Sequence, residues 1–337
     1  MKKKILLFVK KSGSTFVLQD EKILNKYFSV KSIKYGVEPG LKTIYNLIRL
    51  LIWLLKSIWK AHFVYIWFAD YHSFLPVLFA KALKRKSILI LGGYDVTYIP
   101  EIKYGSFSNP LRAFCAKFSI RNATLCLPVS DNIEKEAIER VPKAKTKIIY
   151  TGYSEDKFLP SKMGKQKIVL TVGAGDSLQR LRIKGIDFFI EIARAMPIYK
   201  FVVIGVSKNA LKYLNNIPNN VEILEKMEQN KLIKFYQKAK VYTQFSMREG
   251  LPNVVCEAML CECVPVGFNN GGIPIAIGDC GFILKERSVD KAIEMIEKAI
   301  NSPESLGKKA RERIMKNFTL EQRENKVISI MGKLNGY

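Results

Sequence analysis

Residues 246–268 set two carboxylates, Glu249 and Glu257, around the expected start of a helix. Gly250 permits a backbone conformation closed to other residues, and Pro252 has the φ suited to a first helical position, so the helix is expected to open at about Leu251. The N–H groups of Leu251, Asn253 and Val254 would then lack intrahelical partners and point outward at the positive end of the helix dipole, which makes an anion site. Glu249 stands just before it. Glu257 lies roughly 9 Å along the helix, at about 1.5 Å per residue, with its side chain leaning back towards the N-terminus. A diphosphate over the helix end would have one carboxylate near each of its ends, both able to accept hydrogen bonds from hydroxyls. A nucleotide sugar has that layout: sugar hydroxyls, pyrophosphate, ribose hydroxyls.

Glu249-Gly250-Leu251-Pro252-Asn253, then Glu257-Ala258-Met259, Val264-Pro265-Val266 and Gly271-Gly272-Ile273-Pro274, resemble the donor-binding signature of family-four retaining glycosyltransferases, the glycosyl transferases group 1. Order and spacing agree over about thirty residues, far more than a lone glycine motif offers. The resemblance implies an α/β chain of GT-B fold: two Rossmann-like, doubly wound domains with a cleft between them and a C-terminal helix returning to the first. It implies a metal-independent retaining transfer from a nucleotide diphosphate-sugar, without a cofactor. On the family pattern Lys184, in the pair Lys184-Gly185, meets the donor phosphates, and Gly173 begins the donor-side loop. Gly250, Leu251, Pro252, Asn253 and Val254 line the diphosphate, Glu257 holds the ribose, and Glu249 and Asp95 are the catalytic candidates. A lysine at a helix start is electrostatically misplaced unless an anion binds there, which agrees with a phosphate role.

Several positions depart from the family. Ala174 stands where many members have an arginine directly after the first glycine, and Arg182, two residues before Lys184, is the nearest substitute, ahead of Arg180. Gly92 or Gly93 stands where a histidine commonly precedes the segment seen here as Gly93-Tyr94-Asp95-Val96. Ile275 replaces a frequent acidic residue, and Cys261-Glu262-Cys263 a more usual Cys-Gly turn. On the N-terminal side Gly13, His72 and Tyr94 are the acceptor-side candidates, each in a loop expected after a strand. Asp95 reads equally as an orienting group for hydroxyls or as a helix N-cap or turn aspartate, and His72 as an acceptor-site residue or a packed surface histidine.

The 337 residues are 48% apolar and 25% charged, enough for two globular domains. Net charge is +25: up to residue 160 there are 27 cationic against 12 acidic side chains, and beyond it 28 against 18. Such a balance draws anions, whether lipid, nucleic acid or small molecule, without choosing among them. No zinc finger, aromatic RNA-binding signature or basic heptad region accompanies it, so a nucleic-acid partner is not expected. Six cysteines without a C-x-x-C pair, and only His62 and His72 as imidazoles, read as buried thiols in a reducing cytosol rather than a metal centre. The apolar run after the initial lysines, residues 5–9, is too short for a signal peptide, so the expected location is cytoplasmic, with the inner face of the cell membrane as a peripheral site.

These candidates must be carried by alternating strands and helices. Strands are expected at 4–9, 64–69, 87–91, 125–129 and 147–150, with helices near 74–84, 107–121 and 131–141, the last opened by an Asp131/Glu134 capping box. Residues 44–60 are helical and apolar nearly all round, yet interrupted by Arg49 and Lys56, too short a run to span a bilayer. Burial as a crossover helix is preferred over dipping of Trp53 and Trp59 into an anionic membrane surface. Residues 151–166 have linker composition, after which strands recur at 168–172, 201–204, 221–224, 241–245, 264–266 and 282–284. The expected domains are 1–158 for the acceptor, completed by a returning helix at 319–337, and 159–318 for the donor.

The functional expectation is sugar transfer to a hydroxyl of a glycan or lipid-linked acceptor, in cell-surface polysaccharide or glycolipid synthesis. The rival is a non-catalytic nucleotide- or polyanion-binding module of degenerate transferase fold. A Rossmann dehydrogenase would need a G-x-G-x-x-G after a strand, and neither domain has one.

Overall fold

A computed structural model describes residues 3–11, 13–36 and 41–334. Ser12 of the first loop and residues 335–337 of the expected returning helix lie outside the described residues. The chain divides into two units, residues 1–150 with 323–337, and residues 151–322. Residues 151–158, assigned to the first domain by composition, fold with the second unit, because the Tyr153 hydroxyl donates to Asn253 Oδ1 at 2.7 Å and Arg311 donates to the Phe158 carbonyl at 2.6 Å.

Unit 1 begins with β1 (Ile5–Lys10), α1 (Thr15–Tyr27), β2 (Ser29–Lys34) and α2 (Leu41–Ser57). It continues with β3 (Phe63–Trp67), α3 (Tyr71–Ala82), β4 (Lys86–Leu91), α4 (Pro110–Asn122), β5 (Leu125–Pro128) and α5 (Asp131–Arg140). The parallel sheet has the order β2-β1-β3-β4-β5. Every residue of β3, FVYIW, is buried, the continuous apolar run of a strand covered on both faces. The edge strand β2, SVKSIK, keeps its lysines outward and was not expected from sequence, nor was α1. Residues 147–150 are not a strand: Lys147 and Ile149 donate to the Cys126 and Pro128 carbonyls, an extended flank of β5. Nor does Asp131 cap α5; Ser130 holds that position, and the Asp131 carboxylate accepts from the Tyr150 hydroxyl at 2.7 Å.

Unit 2 contains β6 (Gln166–Gly175), α6 (Leu178–Ile183), α7 (Ile186–Ala195), β7 (Lys200–Val206), β8 (Val221–Leu224), α8 (Gln229–Lys238) and β9 (Ala239–Gln244). Then come α9 (Asn253–Leu260), β10 (Val264–Phe268), α10 (Ile273–Ile277), β11 (Phe282–Leu284), α11 (Val289–Ile300) and α12 (Glu304–Asn317). Its parallel sheet has the order β11-β10-β9-β6-β7-β8, so the winding direction reverses between β6 and β9, the place where open α/β sheets hold ligands at their carboxyl edge. In unit 1 the same reversal falls between β1 and β3. Finally α13 (Leu320–Leu334) places Val327, Ile330 and Met331 in the core of unit 1. Arg323 fastens it there: its guanidinium meets both Asp20 oxygens, at 2.6 and 2.7 Å, and lies over the Trp67 ring, while Asp20 also accepts from Tyr65 and Trp67. Among the described residues no helix is long and apolar enough to cross a membrane, and all six cysteines are buried free thiols.

Candidate functional site

The donor-side candidates gather at the β6/β9 reversal of unit 2. Glu249 Oε1 lies 2.7 Å from Lys184 Nζ and accepts from Gln244 Nε2 at 3.1 Å. Gln244 is itself braced by the Tyr242 hydroxyl at 2.9 Å, and its amide also donates to Ser246 at 2.6 Å, so buried side chains of β9 and the loop after it aim the carboxylate. None of these supporting residues was signalled by the motif. Gly173 makes room for the lysine: a Cβ there would sit 3.2 Å from Lys184 Cβ. Gly185 has φ +67°, and a Cβ on it would lie 2.2 Å from the Phe245 carbonyl oxygen, which presses the Lys184-Gly185 turn onto the end of β9.

Lys184 lies at the junction of two helices. It caps the C-terminus of α6, where a cation complements the dipole, and α6 was not expected from sequence. Gly185, the next residue, is the N-cap of α7, so Lys184 also stands immediately before a helix start, as the sequence led one to expect, and its charge is met here by Glu249. Arg182 is exposed in the last turn of α6, while Arg180 pairs with Asp176 at 3.4 Å.

The helix after Glu249 starts two residues later than expected, at Asn253, with Pro252 as its uncapped N-cap in an extended conformation. Val255 and Cys256 donate to the Pro252 carbonyl, which leaves the amides of Asn253 and Val254 without intrahelical acceptors, whereas Leu251 is buried ahead of the helix. Gly250 and Glu249 are clasped from behind: Gly272 N–H donates to the Glu249 carbonyl at 3.1 Å, and a Cβ on Gly272 would fall 1.6 Å from the Gly250 oxygen. Glu257 is buried on α9, accepting from Gln229 at 2.8 Å and the Tyr236 hydroxyl at 3.2 Å. Burial pushes its carboxyl up to about 7.

Unit 1 separates its candidates into used and available groups. Asp95 is buried and accepts the N–H groups of Ala69, Gly92 and Gly93 at 3.1, 3.1 and 2.7 Å. It is a brace between the loops after β3 and β4, with its carboxyl raised to about 6 by burial. His72 is fully buried, its Nε2 2.7 Å from the Trp67 carbonyl and its ring stacked on Tyr35; burial drives its pKa down to about 4. It is packed as one reading had it, but in the core and not at the surface. A Cβ on exposed Gly13 would meet nothing within 4 Å, so no close backbone approach demands glycine there.

Tyr94 does join a polar cluster, and its partners were not foreseen. Arg112 donates to the Tyr94 hydroxyl at 2.7 Å and places its Nε 3.1 Å from Asp70, whose other oxygen takes Lys11 at 2.6 Å. Burial opposes ionisation of Asp70, but the ammonium of Lys11 and the guanidinium of Arg112 outweigh it and hold the carboxyl below its ordinary value. Asp70 also caps α3 in a reciprocal box with Ser73, and Asn109 caps α4 through the Arg112 amide, so helix starts fix both charged groups. An Asn-Pro pair three residues before an arginine was the available signal for that placement. Among the described residues no three His, Cys, Asp or Glu side chains gather into a group able to hold a metal.

Residues 153–318 match the family model described as glycosyl transferases group 1. Trehalose synthase of Pyrococcus horikoshii is 33% identical over 107 residues, 30% of this chain and 25% of that protein. An uncharacterized glycosyltransferase of Haemophilus influenzae is 26% identical over 197 residues, 54% of each chain. The chain thus spans between a quarter and about half of the curated relatives it matches. Among solved structures, sucrose-phosphate synthase from Thermosynechococcus elongatus has a TM-score of 0.79 at 15% identity, covering 98% of this chain and 99% of that one. Anabaena HepE in complex with UDP-glucose has a TM-score of 0.76 at 15% identity, with 98% and 99% covered. Two parallel doubly wound sheets and a helix that rejoins the first of them give the chain the GT-B fold, and the family match identifies residues 153–318, nearly all of unit 2, as belonging to glycosyl transferases group 1.

Proposed function

We propose that the chain is a retaining glycosyltransferase that moves a sugar from a nucleotide diphosphate-sugar to a hydroxyl of a glycan or lipid-linked acceptor, in cell-surface polysaccharide or glycolipid synthesis. The observation that carries this reading is the Lys184–Glu249 pair, made by the segment that leads into the uncapped start of α9. Charge grows on the leaving diphosphate as the glycosidic bond breaks, and Lys184 with the amides of Asn253 and Val254 would stabilise it without a metal. Lys184 exchanges the Glu249 carboxylate for phosphate when donor binds. Glu249, still held by Gln244, then takes the sugar hydroxyls, and Glu257 accepts from the ribose. The acceptor hydroxyl enters on the face the diphosphate leaves, passing its proton to that phosphate. Arg182 is the further phosphate cation on this reading. The Anabaena neighbours are in complex with UDP and UDP-glucose, so a uridine diphosphate sugar is the donor to try first. The cytoplasm, at the inner face of the cell membrane, is the place that suits such an acceptor.

The binding-module reading keeps one specific support: Asp95 and His72 are spent on the backbone, and Ala174 offers no cation. Turnover separates the two. Wild-type protein is expected to transfer sugar, or to hydrolyse donor slowly, and Glu249→Gln to lower that rate by at least about a hundredfold while a UDP-induced rise in melting temperature persists. Full activity in Glu249→Gln refutes the assignment, and UDP binding without any turnover establishes the module.

A further inference from the structure

We infer that the face of unit 1 built from α2, α3 and α4 docks on an anionic phospholipid bilayer. The docking stands on the observations below and rests on the transferase reading only for the acceptor it would serve. Ile44, Ile48, Ile52, Leu55 and Trp59, spaced by three and four residues, are each between 46% and 60% exposed. At about 100° per residue they occupy about 80° of the circumference of α2 and the turn that extends it. Arg49 and Lys56 border this stripe, Leu50 and Leu54 occupy the core side, and no acidic residue occurs between Leu41 and Lys60. A crossover helix of a globular domain normally turns a polar face outward; here the outward face is apolar and edged by cations, the pattern of a helix lying in a membrane interface. The expectation that this helix is packed therefore holds for one side of it only.

The neighbouring helices extend the surface. Leu111 and Phe114 of α4, one turn apart, are 63% and 58% exposed. An apolar groove of about 300 Å³ separates α2 from α3 and α4, lined by Leu47, Leu51, Phe74 and Leu111 among others. Next to it lies a cavity of about 610 Å³ whose lining includes Lys81, Lys117, Arg121, Arg140 and Lys143 and no carboxylate. Phe74 packs on Phe114 at 5.9 Å and on Phe118 at 4.6 Å, so groove and basic cavity share a wall. Charge complementarity selects the occupant: acyl chains suit the stripe and groove, and phosphate head groups the acid-free cavity. A second copy of a chain with net charge +25 would instead meet this face with like charge. The groove is also lined by Tyr71, whose hydroxyl bonds Asn109 and whose ring carries Arg112 at 5.2 Å, so a lipid-linked acceptor lying in it would reach the polar cluster at the carboxyl edge of the sheet.

The test is co-sedimentation of the full chain with vesicles of phosphatidylglycerol in phosphatidylcholine, and of phosphatidylcholine alone, at low and high salt. Binding is expected to the anionic vesicles and to weaken with salt. Ile48→Ser with Ile52→Ser should lower partitioning by at least about tenfold, and Lys117→Ala with Arg121→Ala by about 25-fold, at about fivefold per cation removed. Wild-type tryptophan emission should shift to the blue on anionic vesicles, and less so in Trp59→Phe. Unchanged melting profiles show that the variants fold, and light scattering reports their oligomeric state. Donor hydrolysis in vesicle-free buffer, read in parallel, keeps failure of docking distinct from failure of the transferase reading. Absence of binding to anionic vesicles, equal binding to neutral ones, or a dimer dissolved by the isoleucine variants overturns the inference.

Discussion

Replacing Glu257 by glutamine should make the protein more stable at pH 8 and a poorer nucleotide binder. The carboxyl is buried on α9 and raised from an ordinary 4.5 to about 7, chiefly by desolvation, against which the hydrogen bonds of Tyr236 and Gln229 act. Between those two values the folded state holds a proton that the unfolded state has released, so stability falls as pH rises from 4.5 to about 7 and is flat above. At 1.36 kcal/mol per unit, the wild type loses about 3 kcal/mol over that window from this group alone. Glutamine keeps both partners, accepting from Gln229 and donating to Tyr236, and has no charge to bury. The midpoint of Glu257→Gln should therefore stay level with pH where that of the wild type declines, the gap reaching about 6–12 °C at pH 8 for a unit of this size. Calorimetry of both proteins from pH 5 to 8 gives the comparison, and UDP titration at pH 8 gives the functional counterpart, since the anion is the better acceptor for ribose hydroxyls. Parallel pH curves would refute the burial argument; unchanged UDP affinity would refute the ribose assignment.

Three further outcomes follow from the same geometry. Gly272→Ala drives a methyl to within 1.6 Å of the Gly250 oxygen and should shift the Glu249 loop, cutting turnover sharply and stability by several kcal/mol (about 2–4), read by urea unfolding and donor hydrolysis. Asp20→Ala leaves the Arg323 guanidinium buried without its carboxylate, an expected loss of about 3–5 kcal/mol, while Asp20→Ala with Arg323→Met should recover much of it. Lys184→Met should weaken UDP binding and turnover together, whereas His72→Gln should leave turnover near wild type because the imidazole faces only the core; steady-state kinetics of both variants decide the pair.

Continuous apolar runs such as FVYIW made the buried parallel strands legible, and the Gly-Leu-Pro-Asn segment located the helix start to within two residues. Strand β2 escaped because a solvent-facing edge strand needs no apolar run. The segment 147–150 has strand composition, yet it lies along β5 without forming a ladder of its own. At the site, residue type announced the carboxylates but not their surroundings. Whether Asp95 faces a ligand or three backbone amides depends on how the loops after β3 and β4 close, and nothing local encodes that. The short helix α6 ahead of Lys184 escaped in the same way, so that the lysine ends one helix as well as preceding the next.

The Asp20–Arg323 pair also imposes an order on synthesis. Asp20 emerges from the ribosome early, but the guanidinium that neutralises it, and the apolar side chains of α13 that finish the same core, are translated only after the whole of residues 151–322. At about 5–20 residues per second that interval lasts roughly ten to thirty seconds. Throughout it the nascent first unit carries an uncompensated acid and an open core, whereas the second unit is a contiguous stretch that can close as soon as it clears the exit tunnel. The later-made half is therefore finished first, and the earlier-made half waits for the last helix.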